Sequence, residues 1–113
     1  MHELSIATNL VDTAVRSAEE AGANSVIRLN LRLGALAGVE PESLAFCFPV
    51  VARGTICEGA ELRLEIVPAR GVCAKCRKPT EVHDLLAPCP ACGQWPLSVE
   101  GGREFQLDSL EVT

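Results

Sequence analysis

Residues 73–92 read CAKCRKPTEVHDLLAPCPAC, and the four cysteines in this stretch decide how this part of the chain folds. They form two Cys-x2-Cys pairs, Cys73/Cys76 and Cys89/Cys92, which are separated by twelve residues. Two such turns that face each other supply the four sulfur ligands of a tetrahedral Zn²⁺ site. Because four thiolates leave no position for water, the pattern predicts a structural zinc site that stabilises a zinc ribbon.

A pair of disulfides and a thioredoxin-like redox motif are the two other interpretations of these cysteines. Disulfides need an oxidising compartment, and the amino terminus, MHELS, does not resemble a secretory signal peptide. A redox site usually has one Cys-x2-Cys motif rather than two. The sequence therefore favours zinc and a reducing cytoplasm. Of the remaining cysteines, Cys47 is expected to be a small buried residue, and Cys57 is a candidate exposed thiol.

The composition is that of a small folded domain with an added module. The chain has 113 residues, is 48% hydrophobic and carries a net charge of -5. It has three Phe, one Trp and no Tyr, so the core must consist mainly of Leu, Val, Ile and Ala. No apolar run approaches the roughly 20 residues of a transmembrane helix, and we expect no membrane insertion.

Apolar periodicity predicts two helices. Residues 4–21 repeat apolar side chains at helical spacing, and the next residue is a glycine, which suits a helix C-terminus. Pro41 suits the first turn of a second helix that continues to residue 53. Because Pro49 lies inside this helix and removes a hydrogen bond, we expect a kink or an early end near Phe48.

Alternation of apolar and polar residues predicts three strands, over residues 26–33, 61–67 and 104–112. In the first two, the residues expected to face inward are Ile27, Leu29, Leu31, Leu33, Leu62, Leu64 and Ile66. In the third, the alternation slips by one residue at Asp108 and Ser109, which indicates a β-bulge. The predicted fold class is α+β: a three-stranded, mostly antiparallel sheet with two helices on one face, plus an inserted zinc-ribbon module.

The expected domains are a body, residues 1–68 plus 104–113, and a zinc-binding module, residues 69–103. The module has five Lys or Arg against three acidic residues, and a Zn²⁺ bound by four thiolates would cancel this excess. A zinc-ribbon module that binds nucleic acid or protein is the alternative function. Within residues 69–103 the charge is balanced and Trp95 is the only aromatic residue, and both features disfavour binding of nucleic acid.

Enzyme activity is not expected. The sequence has no Ser/His/Asp set, no phosphate-binding loop and no open-site zinc pattern. Apart from the terminus, His83 is the only candidate base, and its charged surroundings indicate a surface residue.

The first three residues offer a second kind of metal site. The α-amine of Met1, the backbone nitrogen of His2 and its imidazole can chelate one divalent ion in a plane, and Glu3 can add an oxygen. Planar nitrogen ligation suits Ni²⁺ or Cu²⁺. The alternative is a solvated, frayed terminus, and the residues by themselves leave both interpretations open.

The sequence resembles the HypA/HybF family of hydrogenase nickel-incorporation proteins along its whole length. The stretches that carry the resemblance are residues 1–5, 33–42, 51–55 and 108–112 together with the two cysteine pairs. The resemblance implies a nickel metallochaperone rather than an enzyme. It would bind Ni²⁺ at its amino terminus and deliver it to the large-subunit precursor of [NiFe]-hydrogenase, working with a partner GTPase.

The resemblance also implies roles for individual residues. His2 would be the essential nickel ligand, aided by the Met1 amine and Glu3. Glu40 falls where the family has an acidic residue near that site, although a carboxylate at a helix start is also an ordinary cap. The structural zinc ligands would be Cys73, Cys76, Cys89 and Cys92. Monomer and homodimer both remain open.

Overall fold

The computed structural model describes residues 2–82, 88–93 and 98–113. The elements in this part of the chain are α1 (Glu3–Glu20), β1 (Val26–Gly34), α2 (Pro41–Ala52), β2 (Glu61–Val67), β3 (Ala69–Val72), β4 (Pro79–Val82), β5 (Ser98–Glu100) and β6 (Phe105–Val112). No helix among these residues is long and apolar enough to cross a membrane. The predictions for Met1, His83 and Trp95 lie outside the described residues.

The chain groups into two compact units. The first consists of Met1–Arg32, Val39–Glu65 and Gln106–Thr113, and the second of Leu33–Gly38 and Ile66–Phe105. The domain boundaries expected from the sequence, 1–68 plus 104–113 and 69–103, stay a prediction.

The first unit is built on a three-stranded sheet in the order β2-β1-β6. On its polar face, Arg28 of β1 pairs with Glu61 of β2, and Arg32 pairs with Glu65. From the first ion pair to the second, the residue number rises by four in both strands, so β1 and β2 run parallel. A parallel pair needs a crossover connection, which α2 provides. The sheet is therefore mixed, whereas the sequence predicted a mostly antiparallel sheet. The predicted α+β fold class is confirmed.

β6 runs antiparallel to β1 and is irregular at the predicted position. Arg28 contacts Glu111, Asn30 contacts Ser109 and Arg32 contacts Asp108. Asp108 and Ser109 are consecutive, yet both contact the same row of β1 side chains. A regular strand would place them on opposite faces, so the contacts agree with a β-bulge here.

Both helices pack on the apolar face of this sheet. The shared core contains Leu29 and Leu31 of β1 and partly buried Leu62, Leu64, Leu107 and Leu110 of the other strands. The helices contribute Ala7, Leu10, Val11, Ala14 and Ala18 from α1 and Leu44, Phe48 and Ala52 from α2. Gly22 follows α1 with φ +73°, the conformation that commonly ends a helix.

The expected early end of α2 is wrong, because the helix continues through Pro49 to Ala52. Phe48 and Ala52 are buried on either side of the proline, whereas Pro49 itself is exposed. Burial of the inner face therefore holds the last turn in the helix despite the missing N–H.

Three further side chains differ from their predicted burial. Ile27 and Ile66 were expected to face inward but are 48% and 45% exposed. Cys57, the candidate exposed thiol, is fully buried, and burial raises its pKa. Cys47 is half-buried and packs against the core.

The second unit contains an antiparallel sheet in the order β4-β3-β5. Its buried core, among the described residues, consists of Ala69, Cys73, Val82 and Cys89. Gly102 has φ +78° and lies so close to Ala69 that a side chain there would overlap it. Two of the four buried core residues are cysteines, so this unit has little apolar burial to stabilise it without a metal.

Candidate metal centres

The four cysteines of the two Cys-x2-Cys pairs come together in the second unit. One sulfur atom from each residue lies within 4.8 Å of the other three. The Sγ atoms of Cys73 and Cys92 are 3.4 Å apart, and those of Cys76 and Cys89 are 3.6 Å apart. None of these cysteines forms a disulfide. The sequence predicted this grouping from spacing alone.

The two pairs have the same backbone conformation. The N–H of Arg77 donates to the carbonyl of Cys73 over 2.8 Å, and the N–H of Gly93 donates to that of Cys89 over 2.7 Å. Each donor directly follows the second cysteine of its pair, and each has a positive φ, 58° for Arg77 and 76° for Gly93. A glycine adopts this conformation without strain, whereas an arginine does not.

The backbone favours the thiolate form of the first cysteine in each pair. The N–H of Cys76 lies 3.5 Å from the Sγ of Cys73. This hydrogen bond is the main reason that the pKa of Cys73 is lowered to about 6. The N–H of Cys92 similarly lowers the pKa of Cys89. Metal ligation requires thiolates, so the turns prepare these sulfurs to bind a cation.

The donor set fits Zn²⁺. With a Zn–S distance of about 2.3 Å, the sulfurs of a tetrahedral site lie about 3.8 Å apart, close to the spacings found here. Four sulfur donors in a tetrahedral arrangement are typical of zinc or iron–sulfur sites, and a closed four-thiolate site suits a structural role.

The candidate nickel ligands lie in the first unit, where α1 and α2 begin. His2 occupies the N-cap position of α1, is exposed, and makes no capping hydrogen bond with its side chain. Glu3 is the first helical residue and is buried. The predicted ligand role of the Met1 amine lies outside the described residues.

Glu3 and Glu40 meet although 37 positions separate them in the chain. The backbone N–H of Glu40 donates to Oε2 of Glu3 over 3.2 Å. The Glu40 carboxylate accepts a hydrogen bond from the N–H of Glu42 over 3.1 Å, which makes Glu40 the N-cap of α2. Its side chain therefore performs the ordinary capping role, while its backbone adjoins the amino-terminal segment.

Two features of these centres were missed from the sequence. One sequence feature could have predicted the strained backbone of Arg77: it directly follows Cys76, and the residue that directly follows Cys92 is a glycine, Gly93. No sequence feature could have predicted the hydrogen bond between Glu3 and Glu40, because local patterns do not indicate a contact between two helix starts that are distant in the sequence.

Comparisons with known proteins place the chain in a family. Residues 1–112 match the family model described as hydrogenase/urease nickel incorporation, metallochaperone, HypA. The hydrogenase maturation factor HypA of Chlorobaculum tepidum is 45% identical over 112 residues, with 99% of each chain covered. The HypA of Synechococcus sp. is 46% identical over the same length, again with 99% of each chain covered.

Solved structures support the fold. The solution structure of the Ni metallochaperone HypA from Helicobacter pylori matches with a TM-score of 0.67 and 21% identity, covering 99% of this chain and 97% of that one. A second solution structure of a HypA protein matches with a TM-score of 0.68. The resemblance seen in the sequence is thus confirmed: this chain belongs to the HypA family of hydrogenase maturation factors, a family of nickel metallochaperones rather than of enzymes.

Proposed function

We propose that this protein binds Ni²⁺ at its amino-terminal segment and delivers it during maturation of [NiFe]-hydrogenase. The observation that carries the proposal is the arrangement at the start of α1. The exposed imidazole of His2 is not used for capping, and the next residue, Glu3, is held against the start of α2. The family match over residues 1–112 supports nickel as the metal.

The proposed ligands are the imidazole and backbone nitrogen of His2, the amine of Met1 and an oxygen of Glu3. Such a set lies on three consecutive residues, so a receiving site can replace the ligands one at a time. The amine and the amide must lose protons to bind, and affinity should therefore fall in acid. Glu40 would support the site through the backbone N–H that it donates to Glu3, and it is not one of the main proposed nickel ligands.

The four cysteines would hold a structural Zn²⁺ rather than the transferred metal. All four sulfurs lie within 4.8 Å of one another, and they include two of the buried core residues of the second unit. Removing the ion would expose that core and leave four thiols without a common partner. The zinc would therefore stabilise the fold of this unit.

The protein acts with the hydrogenase maturation machinery, as its family does. We infer that its specific partners are a GTPase of that machinery and the large-subunit precursor, in the cytoplasm, and that it works as a monomer or homodimer. Membership of a family of metallochaperones agrees with transfer of a metal rather than catalysis.

The test is a titration of Ni²⁺ into the zinc-loaded protein and into His2→Ala, followed by calorimetry and visible absorption. His83→Ala is the matched control, because it removes the chain's other histidine. We expect the control to bind nickel as the wild type does and His2→Ala to lose both the affinity and the spectrum. Unchanged binding by His2→Ala would contradict the proposed site.

A further inference from the structure

β6 lies at one edge of the sheet of the first unit, and no other strand in the described part of the chain pairs with its outer side. The N–H of Thr113, the residue directly after β6, donates inward to the carbonyl of Ser25 over 3.0 Å. Because successive N–H groups of a strand point to opposite sides, the N–H of Val112 points outward. The outer side of β6 thus offers backbone groups that suit an added strand.

A groove of about 310 Å³ runs beside this edge. One wall is the end of α1, where the side chains are small: Ser17, Ala18 and Ala21. The other wall is β6, including Leu107, Leu110 and Val112. The groove is mainly apolar, and it has room for alternate side chains of an extended peptide that pairs with the edge.

The surroundings of the groove are acidic. Residues 106–113, the carboxyl-terminal part of the first unit, contain two acidic residues and no Lys or Arg. The polar face carries one more carboxylate than arginine: Glu61, Glu65, Asp108 and Glu111 lie beside Arg28, Arg32 and Arg63. The last turn of α1 has no basic residue, and its carbonyl end adds partial negative charge.

These charges decide between two possible occupants. In a second copy of the chain, β6 would place its acidic residues against those of the first, and like charges on paired strands are destabilising. A basic segment would instead meet the opposite charge of Asp108 and Glu111, the two acidic residues of β6. The bulge at Asp108 and Ser109 interrupts the edge, which leaves the section from Leu110 to Thr113 as the regular part.

We propose that the outer edge of β6 binds an extended, basic segment of a partner protein as an added strand. Backbone hydrogen bonds would supply affinity, alternate apolar side chains would enter the groove, and lysine or arginine side chains would face Asp108 and Glu111. This interaction surface goes beyond nickel binding and does not depend on it, so it can be tested on the zinc-loaded protein without nickel.

The probe is a fluorescent octapeptide of alternating valine and lysine, with a valine–glutamate octapeptide as its charge-reversed counterpart. Binding is measured by fluorescence anisotropy. We expect the lysine peptide to bind, the affinity to fall as salt screens the exposed charges, and the glutamate peptide not to bind. Equal binding of the two peptides, or no binding of the lysine peptide, would overturn the proposal.

Val112→Pro removes the outward N–H, and Val112→Thr keeps it with a similar side-chain shape. The proline variant should bind about fivefold to tenfold more weakly, which corresponds to one lost hydrogen bond, whereas the threonine variant should bind like the wild type. Ala21→Trp, which fills the groove, should also weaken binding. Circular dichroism of each variant checks folding, and full binding by both folded Val112→Pro and folded Ala21→Trp would contradict the added-strand geometry.

Discussion

The backbone N–H of Glu40 donates a hydrogen bond to the Oε2 atom of Glu3, and this bond joins the first residue of α1 to the N-cap residue of α2. It places the amino-terminal segment against a second, rigid element of the first unit. One carboxylate oxygen of Glu3 is engaged in this bond. In the proposed nickel site, Glu3 would have two roles: it would hold the amino-terminal segment in place, and it would supply an oxygen ligand.

Substitution of Glu3 should separate these two roles. Glu3→Gln keeps an oxygen acceptor for the Glu40 N–H but removes the charge, whereas Glu3→Ala removes both. Hydrogen bonds to the Glu3 carboxylate lower its pKa to about 2, so its charge stabilises the folded state and both variants should lower the free energy of unfolding. Glu3→Ala should lower it by about 1 kcal/mol more than Glu3→Gln, the typical net value of the one hydrogen bond to Glu40 that glutamine keeps. Urea denaturation measures this difference.

Nickel calorimetry on the same two variants tests the ligand role. If Glu3 supplies a charged oxygen ligand, both variants should bind Ni²⁺ more weakly than the wild type. Wild-type affinity in Glu3→Gln would show that the charge is not used and that Glu3 only positions the terminus.

The strained backbone of Arg77 predicts a stabilising substitution. Its φ of 58° is unfavourable for an arginine, so Arg77→Gly should stabilise the zinc-loaded second unit by about 0.5–1 kcal/mol after the entropy cost of glycine. Gly93→Ala is the opposite substitution, because it places a side chain at the equivalent position, where φ is 76°. It should destabilise the zinc-loaded second unit. Denaturation in the presence of excess zinc measures both, and a less stable Arg77→Gly would contradict the assigned strain.

Removal of one cysteine ligand should release the zinc. Cys89→Ser replaces a buried thiolate by a poor zinc ligand, so we expect loss of stoichiometric zinc and loss of amide protection in β3, β4 and β5. Cys47→Ser, which changes a half-buried cysteine outside the cluster, should retain one zinc. Metal analysis and hydrogen exchange report the two effects. Stoichiometric zinc in Cys89→Ser would refute ligation by all four sulfurs.

The ion pairs around Arg28 predict how stability depends on pH. Arg28 lowers the pKa of Glu61 and of Glu111 below the ordinary value of 4.5. A carboxylate whose pKa is lowered by folding stabilises the folded state above its ordinary pKa, and this contribution disappears as the pH falls through the lowered value. Arg28→Met should therefore be less stable than the wild type at neutral pH, and the difference should shrink below about pH 4.5.

Denaturation of the two proteins across this pH range provides the measurement, and zinc release in acid should affect both alike. High salt should also reduce the difference, because these side chains are partly exposed. A difference that stays constant from neutral to acidic pH would exclude the two carboxylates as its source.

Sequence patterns located the helices, the three long strands and the cysteine cluster because each depends on local spacing. The alternation around Leu29 and Leu31 identified the buried face of β1, but it did not show how far the covering helices extend, and Ile27 is exposed. Backbone geometry alone predicted that α2 would end near Pro49, whereas burial of Phe48 and Ala52 keeps the helix intact.

Long-range relationships could not be obtained in the same way. Half-buried alternation does not distinguish a parallel from an antiparallel pair when a helix connects the strands, as between β1 and β2. The meeting of Glu3 with Glu40 likewise depends on how two helix starts are brought together by the packing of the whole unit. The residues of the amino-terminal site were named from chemistry and resemblance, and their ligation of nickel remains a proposal.

The most direct test of the central claim is metal analysis of the purified protein after incubation with Ni²⁺ and removal of unbound ion. The account predicts one zinc in the wild type, His2→Ala and His83→Ala alike, with one nickel gained by the wild type and His83→Ala but not by His2→Ala. A full equivalent of nickel in His2→Ala, or nickel gained only as zinc is lost, would contradict a separate nickel site at the amino terminus.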